Sequence, residues 1–307
     1  MRHAMARCAI WALAGVTCLF AGQTSVTAAP AGHRTSLKPR PALWKIADTD
    51  TTIFLFGTTH ALPPGFAWQS PAIKNIVRHA EELVVESLGT PDAQRQADQV
   101  VDAALSPIVE DRPILSRVAP EKRAALRRAI ARTDFPEPFF DAMPSFMASL
   151  VLAVEDMNRD GRDQHKGVEA HLISAFQARG RPIVALEDGG AILRQMQGLS
   201  ESAQQRMLEE TLDDMEASPA AHSATADLNW VRGNTALLDA EFRREKLGDE
   251  LYELLIVRRN QAWSQWLKDR LARPGTILFA VGAGHFAGPD ALQRLLEQEG
   301  ISVTRVD

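Results

Sequence analysis

Two distant stretches of this sequence share one pattern, an apolar run that ends at a glycine with a histidine three positions later. Residues 53–60 read IFLFGTTH, and residues 277–285 read ILFAVGAGH. Short apolar runs bounded by glycine are typical of buried strands. A strand that is apolar on both faces belongs to a sheet covered by helices on both sides. These two stretches therefore constrain the fold more than any other part of the chain.

The segments that follow the two stretches also correspond in their order of elements. The first stretch leads through a Pro-containing loop to a helix, with Ser70 as N-cap and Pro71 at its first position, and then to the strand ELVVES. The second leads to a helix with Pro289 near its start and Gly300 as its stop, and then to ISVTRV. We therefore predict an α/β fold with a mixed, largely parallel sheet. Two βαβ units, acting as duplicated half-domains, would form it, flanked by helices.

The remaining segments extend this domain without adding a second one. Residues 30–41 are rich in proline and polar residues and read as a linker, so the α/β domain is expected to span 42–307. Helical patterns fill about 91–180 and 191–270, and the short strand RPIVALED lies between these two insertions. A turn at DTD is expected to join two strands near the start of the domain, and His222 is expected to lie in a loop.

The first 29 residues have the composition of a secretory signal peptide. A basic start with Arg2 and Arg7 is followed by an apolar stretch too short to span a membrane comfortably, and then by small residues. A membrane anchor is the alternative. Cleavage would remove Cys8 and Cys18, so no disulfide or thiol chemistry is expected in the mature chain. It would also remove two arginines and no acid, which takes the formal charge from −5 to −7.

These features place the mature protein outside the cytoplasm, in the periplasm or secreted, with no stable membrane span after cleavage. The chain has no long basic run, so nucleic acid is not an expected partner. A dinucleotide site is not expected either, since VGAGHFAG lacks the G-x-G-x-x-G spacing.

Four ionisable residues stand at or just after the carboxyl ends of predicted strands: His60, Glu86, Glu187 and His285. In a parallel sheet these ends lie along one edge, where open α/β sheets bind their ligands. Two imidazoles with one or two carboxylates are a recurring ligand set for a divalent metal. The alternative for each single G-x-x-H motif is a turn histidine bonded to backbone. The glutamates could equally be surface carboxylates.

Other candidate residues have weaker patterns. Glu169 opens a helix directly after Gly167 and remains an outside candidate for the site. His165 and His171 are six positions apart, so we expect a loop histidine and a helix-surface histidine. The chain contains neither a G-x-S-x-G nucleophile elbow nor an H-E-x-x-H zinc motif.

An amphipathic helix, LYELLIVRRNQAWSQWL, contains Arg258, Arg259 and Asn260. One arginine and Asn260 could face inward toward the site edge. The alternative is that all three lie on a solvated helix face.

These segments resemble the TraB/GumN family, which includes the Tiki-type proteins and is related to the ChaN-like proteins. The resemblance runs from about residue 42 to the end of the chain. It is carried by ALWKIADTDTTIFLFGTTHALP, AEELVVES, RPIVALED, NWVRGN, LLIVRRNQAW and TILFAVGAGHFAGPDALQRLLEQEGISVTRV. It implies an α/β fold built from a duplicated unit. The Tiki branch looks like a metal-dependent protease that uses manganese or cobalt. The resemblance pairs His60 with His285, makes Glu86 the acid after the second strand, and makes Arg259 and Asn260 a site pair.

The function expected from these observations is an exported, divalent-metal-dependent hydrolase, with a metallopeptidase acting on a peptide or protein as the favoured subclass. Manganese, cobalt or zinc would be bound by His60, His285 and Glu86. Glu86 or Glu187 would serve as general base. Arg259 and Asn260 would stabilise an oxyanion or orient the substrate. A non-catalytic periplasmic binding protein for a peptide, a haem-like or a polysaccharide-related ligand is the alternative, as is an esterase or lactonase. The sequence leaves the oligomeric state open.

Overall fold

A computed structural model describes residues 38–89, 112–162, 167–216, 219–242 and 244–306, together with the isolated helical positions 95 and 99. The predicted signal peptide and most of the predicted linker lie outside the described residues. So do His165 and nearly all of residues 90–111, where the first predicted helical insertion begins.

A six-stranded sheet with the strand order β4-β3-β5-β2-β1-β6 forms the centre of the fold. Its strands are β1 (Leu43–Ala47), β2 (Thr51–Thr58), β3 (Glu82–Ser87), β4 (Ile183–Glu187), β5 (Gly275–Gly282) and β6 (Thr304–Arg305). Strands β4, β3, β5 and β2 are parallel to one another, and β1 is antiparallel to both β2 and β6. The predicted mixed, largely parallel α/β sheet is confirmed.

The hairpin between β1 and β2 turns at the predicted DTD segment. The Asp48 carboxylate accepts hydrogen bonds from the backbone amides of Thr51 at 2.8 Å and Asp50 at 3.2 Å. Aspartate stabilises turns in this way because its short side chain reaches backbone amides two or three residues on.

The first βαβ unit contains β2 and β3, and the second contains β5 and β6. The two units interleave in the sheet, because β5 lies between β2 and β3. Its register against β2 runs from the pair Thr51 and Gly275 to the pair Thr58 and Gly282. The two strands that end in G-x-x-H are therefore direct neighbours in the sheet, although they lie at opposite ends of the chain.

Both faces of these central strands are buried, as their continuous apolar runs indicate. Ile53 and Leu55 pack on one face with Ile277 and Phe279. Alternate residues, including Phe56, pack on the other face. The first face is covered by the helices α12 (Arg258–Leu271) and α13 (Leu292–Gln298), and the second by α1 (Pro71–His79) and α5 (Val168–Gln177). The fold therefore has three layers.

The helices described are α1 (Pro71–His79), α2 (Arg123–Ala131), α3 (Glu137–Asp141), α4 (Ser145–Arg159), α5 (Val168–Gln177), α6 (Gly189–Gln197), α7 (Glu201–Glu216), α8 (Pro219–Val231), α9 (Thr235–Phe242), α10 (Arg244–Leu247), α11 (Asp249–Tyr252), α12 (Arg258–Leu271) and α13 (Leu292–Gln298). A π-helical turn, Glu253–Val257, joins α11 to α12, and 3₁₀ turns occur at Ile114–Ser116, Pro120–Lys122 and Ala283–Phe286. Ser70 caps α1 as predicted, since its hydroxyl accepts from the Ile73 amide at 3.2 Å.

Two local predictions were wrong. His222 lies within α8 rather than in a loop. The surrounding alanines favour a helix strongly enough to outweigh the neighbouring serines, and Pro219 suits the first helical position. Helix α13 begins at Leu292, later than Pro289 suggested. Gly288 has a φ of 78°, and the Asp290 carbonyl is held by Asn260, so the chain reaches the helix in an extended conformation.

The helical segments between the strands have a hydrophobic core of their own. Buried residues of α2, α3, α4, α6 and α7 pack together, and they include Phe140, Phe146, Met147, Leu208 and Leu212. In the part of the chain that the structure describes, no helix is both long and apolar enough to cross a lipid bilayer.

Candidate functional site

The candidate site lies across the carboxyl ends of four adjacent parallel strands. Glu187 ends β4, Glu86 lies near the end of β3, and His285 and His60 follow β5 and β2. Because the strand order is β4-β3-β5-β2, the four side chains are arranged in the sequence Glu187, Glu86, His285, His60 along the edge.

Arg259 is the central side chain of this group. Its Nε lies 2.9 Å and 3.0 Å from the two carboxylate oxygens of Glu187, and its Nη2 donates to Glu86 Oε2 at 2.5 Å. Its Nη1 lies 3.0 Å from His285 Nε2. The guanidinium also stacks over the Trp263 ring, 4.6 Å from the ring centre. One buried cation thus pairs with both carboxylates, and its single positive charge balances one of their two negative charges.

A π-helical turn directly before α12 sets the direction of the Arg259 side chain. Such turns often occur at functional sites because they change the rotation of the helix that follows. Here the Leu255 carbonyl accepts a hydrogen bond from Arg259 Nη1 at 3.3 Å. Arg258, one position earlier, points outward, and 71% of its side chain is exposed.

His285 is buried, with 4% of its surface exposed, and its ring orientation is defined at both nitrogens. Arginine can only donate, so Nε2 must accept from Arg259 and the ring proton must be on Nδ1. Nδ1 then donates to Asn260 Oδ1 at 2.7 Å. Burial and the nearby Arg259 charge lower the pKa of His285 to about 3, so the imidazole is neutral at physiological pH.

Asn260 orients His285 and fixes the following loop at the same time. It is fully buried, and its Nδ2 donates to the carbonyls of His285 at 3.1 Å and Asp290 at 2.7 Å. With its oxygen bonded to the His285 ring, the amide is satisfied on both sides.

His60 is held by a carboxylate from the helical insertion. Its Nδ1 lies 3.0 Å from Glu169 Oε2, and the Thr58 hydroxyl donates to Glu169 Oε1 at 2.9 Å. The Glu169 charge raises the pKa of His60 to about 9. The His60 side chain is 47% exposed, so solvent screens this pair more than the contacts around His285.

Glu86 and Glu187 have opposite electrostatic environments. Burial alone would raise the pKa of Glu86, but Arg259 and the Gly282 amide, which donates to Oε1 at 2.6 Å, outweigh it and hold the pKa below its usual range. Burial raises the pKa of Glu187, and Arg259 offsets this only in part. Glu86 is therefore the more strongly ionised of the two carboxylates.

Gly282 lies at the point where the two histidines and Glu86 approach one another. A Cβ atom at this position would lie 3.0 Å from Glu86 Oε1, 3.9 Å from His60 Nε2 and 3.8 Å from His285 Cδ2. Gly57 is similarly enclosed, with Ala283 Cα only 3.1 Å from its Cβ position. Neither glycine has a positive φ, so close approach rather than backbone conformation requires glycine here.

The structure thus brings His285, Glu86, Glu187, Arg259 and Asn260 into one hydrogen-bonded group, with His285 Nε2 lying 3.7 Å from Glu86 Oε1. His60 borders this group from the far side of Gly282. His171 lies on the exposed face of α5, where its Nε2 is 2.8 Å from Gln69 Nε2.

The contributions of Thr58 and Trp263 were not predicted from the sequence, and Glu169 was only an outside candidate for the site. The signal for Glu169 was its place in the first turn of a helix directly after Gly167. Trp263 could have been found from its spacing of four residues after Arg259, which places both on one helix face.

Two histidines and a carboxylate are donors of the kind that bind a divalent metal. Both histidines are anchored through Nδ1, which leaves Nε2 of each directed to the region of Gly282 and Glu86 Oε1. This arrangement is usual for histidines that bind metals. Within the described residues, no three His, Cys, Asp or Glu side chains are gathered as a complete metal site. Arg259 Nη1 contacts His285 Nε2, so ligation by His285 would require this N–H group to leave, whereas the bond from Nη2 is to Glu86 Oε2 and does not involve Oε1. The residues fit a metal by donor type and orientation.

The fold and site together define an α/β protein with a histidine and glutamate cluster at the carboxyl edge of a parallel sheet. The model of the TraB/PrgY/gumN family matches residues 42–305, and the chain belongs to this family. No curated protein matches the chain significantly.

Proposed function

We propose that this protein is a divalent-metal-dependent hydrolase. The observation that carries the proposal is the matched orientation of the two histidines. Each is hydrogen-bonded through Nδ1, His60 by Glu169 and His285 by Asn260. Each therefore offers Nε2 beside Glu86. Two oriented imidazoles and a carboxylate are sufficient protein ligands for a catalytic metal with an open position.

His60, His285 and Glu86 would hold the metal, which could be manganese, cobalt or zinc. When bound, such a metal supplies a water of lowered pKa and polarises a carbonyl oxygen. Glu86 suits a ligand role, since its Oε1 lies on the same side as His285 Nε2.

Glu187 would act as general base. It contacts Arg259 through both oxygens and lies at the next strand end. Its burial raises its pKa, which makes it the better proton acceptor of the two carboxylates. Arg259 would then balance the negative charge that develops on a substrate oxygen, and Asn260 would keep His285 in the required tautomer.

A peptide or protein is the favoured substrate, because the family resemblance extends to the Tiki-type proteins. Export through the predicted signal peptide would place the activity in the periplasm or outside the cell. N-terminal sequencing of protein from a periplasmic fraction tests this, and a mature chain that still begins with Met1 contradicts it.

The decisive experiment combines metal analysis of the mature protein with peptide-library cleavage, with and without chelator. We expect about one metal ion per chain, and cleavage that chelator and His60→Ala both abolish. His79→Ala serves as the matched control, since His79 is an exposed histidine bonded to the Asn75 carbonyl. Absence of metal and cleavage, with His60→Ala indistinguishable from wild type, overturns the proposal.

One observation favours a second candidate, a non-catalytic binding protein. Arg259 already pairs with Glu86 and Glu187 and donates to His285, so these three side chains have hydrogen-bond partners without a metal. A binding protein would retain a peptide, a haem-like molecule or a polysaccharide-related ligand without converting it. Mass spectrometry of ligands that co-purify, before and after incubation, distinguishes the two functions. Cleavage of simple esters or lactones, but not peptides, would identify an esterase or lactonase.

A further inference from the structure

Helix α5 is docked directly against the loop that carries His60. The backbone amide of Val168 donates to the Thr59 carbonyl at 3.1 Å. A Cβ atom on Gly167 would lie 1.9 Å from the His60 carbonyl oxygen, so only glycine permits this approach. The first turn of α5 and the G-x-x-H loop therefore form one packed unit.

Glu169 lies in this first turn, and its carboxylate contacts both Thr58 and His60. Oε1 accepts from the Thr58 hydroxyl at 2.9 Å, and Oε2 lies 3.0 Å from His60 Nδ1. The Glu169 side chain is 15% exposed and His60 is 47% exposed. A half-exposed imidazole has room to rotate, and the anchored carboxylate restricts it to one orientation.

The two histidines of the site are thus held by groups of different charge. His285 donates Nδ1–H to the neutral amide of Asn260. His60 faces a carboxylate at the same ring position. A carboxylate increases the electron density that the opposite nitrogen can offer, and such partners commonly support histidines that bind metals.

We infer that Glu169 is a positioning residue of the site, which holds His60 through Nδ1 so that Nε2 faces Glu86 and Gly282. The inference rests on the proposed metal-dependent function. It also assigns a purpose to the helical insertion, since this part of the chain delivers the residue that orients one of the two G-x-x-H histidines.

The test uses Co²⁺ alone, titrated into the full mature chain and followed by its visible absorption spectrum. The quantity compared is the Co²⁺ affinity of the deprotonated site, obtained by extrapolating titrations at several pH values, because Glu169 also raises the pKa of His60. Glu169→Ala should weaken this affinity about 10- to 100-fold, the usual effect of losing such a partner. Glu169→Gln keeps an acceptor for Nδ1–H and should recover most of this affinity. Thr58→Val removes the hydroxyl that holds Oε1 and should cause a smaller loss in the same direction.

Glu201→Ala is the matched control, because Glu201 also lies in the first turn of a helix and pairs with an arginine, Arg112, at the surface. It should leave the Co²⁺ affinity unchanged. Circular dichroism of every variant separates loss of the fold from loss of affinity. Wild-type Co²⁺ affinity in a folded Glu169→Ala variant overturns the inference.

A second readout does not depend on the metal. In ¹⁵N-labelled, metal-free protein, the His60 Nδ1–H proton should give a protected NMR signal that disappears in Glu169→Ala and persists in Glu201→Ala. If the wild type binds no Co²⁺, the proposed function fails and this signal alone decides the role of Glu169. An unchanged signal in Glu169→Ala contradicts the inference.

Discussion

Arg259 Nη1 lies 3.0 Å from His285 Nε2, so the guanidinium donates to the same nitrogen that would bind a metal. The lone pair of the neutral His285 is therefore already used by the buried Arg259. Any ligand that takes the lone pair of His285 must displace this hydrogen bond, while Arg259 can keep its contacts with Glu187.

Removing the Arg259 side chain should destabilise the protein strongly. Arg259→Ala leaves Glu86 and Glu187 buried without their cation, and loss of one partner of a buried ion pair costs about 3–5 kcal/mol. Urea unfolding at pH 7 measures this cost. The cost should shrink at pH 5, because the two carboxyl groups can then take up protons.

Arg258→Ala is the control for this measurement, since Arg258 is the adjacent residue and is largely exposed. Its effect should stay within about 0.5 kcal/mol. Equal stability of the two variants would show that Arg259 does not stabilise the buried carboxylates.

Truncation of Asn260 should affect stability and the His285 tautomer together. Asn260→Ala leaves two carbonyls and the His285 Nδ1–H without partners, and each unpaired buried group costs about 1–3 kcal/mol. Thermal unfolding and ¹⁵N NMR of the imidazole measure the two effects. Gln265→Ala, which removes an exposed amide bonded to Asp269, should change neither quantity. An unchanged His285 spectrum in Asn260→Ala would argue against an orienting role.

A methyl group at Gly282 should damage the site more than the fold. The added Cβ would lie 3.0 Å from Glu86 Oε1, so the carboxylate must shift while the backbone can stay in place. We expect Gly282→Ala to weaken metal binding at least tenfold with a modest loss of stability, of about 1–3 kcal/mol. Gly198→Ala is the control, because its Cβ has an acceptable contact at 3.4 Å and its φ is negative. Unchanged Co²⁺ affinity in Gly282→Ala would contradict this placement.

The affinity for a divalent metal should rise with pH. The pKa of His60 is raised to about 9 by Glu169, so the protonated ring must release its proton before Nε2 can bind a metal. Below pH 9 the affinity should therefore increase by up to about tenfold per pH unit. His285, with a pKa of about 3, is already neutral and should release none. Calorimetry in buffers of different ionisation enthalpy counts the protons, and zero released at pH 7 would be inconsistent with His60 as a ligand.

The free energy of unfolding of the metal-free protein should fall as the pH rises. The pKa of His60 is about 9 in the folded state and 6.5 as its ordinary value. Its pair with Glu169 therefore contributes fully below about pH 6.5, and the contribution is lost as the pH rises through 9. Urea unfolding between pH 6 and 10 should show this loss in the wild type and not in Glu169→Ala.

The sequence by itself determined the sheet and the edge that carries the candidate site. The continuous apolar runs of β2 and β5 required burial on both faces, and the parallel crossover connections required all the carboxyl ends to lie together. Four candidates, His60, Glu86, Glu187 and His285, followed from these two rules. Periodicity could not tell whether His222 belonged to a helix, because alanine-rich segments with serine carry both helix and loop signals.

Only the tertiary structure decided how the side chains meet. The interleaving of β5 between β2 and β3, which makes the two G-x-x-H strands neighbours, depends on packing between ends of the chain that are far apart in sequence. The π turn before α12 directs Arg259 inward and leaves Arg258 in solvent, a rotation that the residue pattern does not encode. The pairing of Glu169 with His60 likewise depends on the close approach of Gly167 to the His60 backbone. Local sequence specifies the elements, whereas contacts between distant segments specify the geometry of the site.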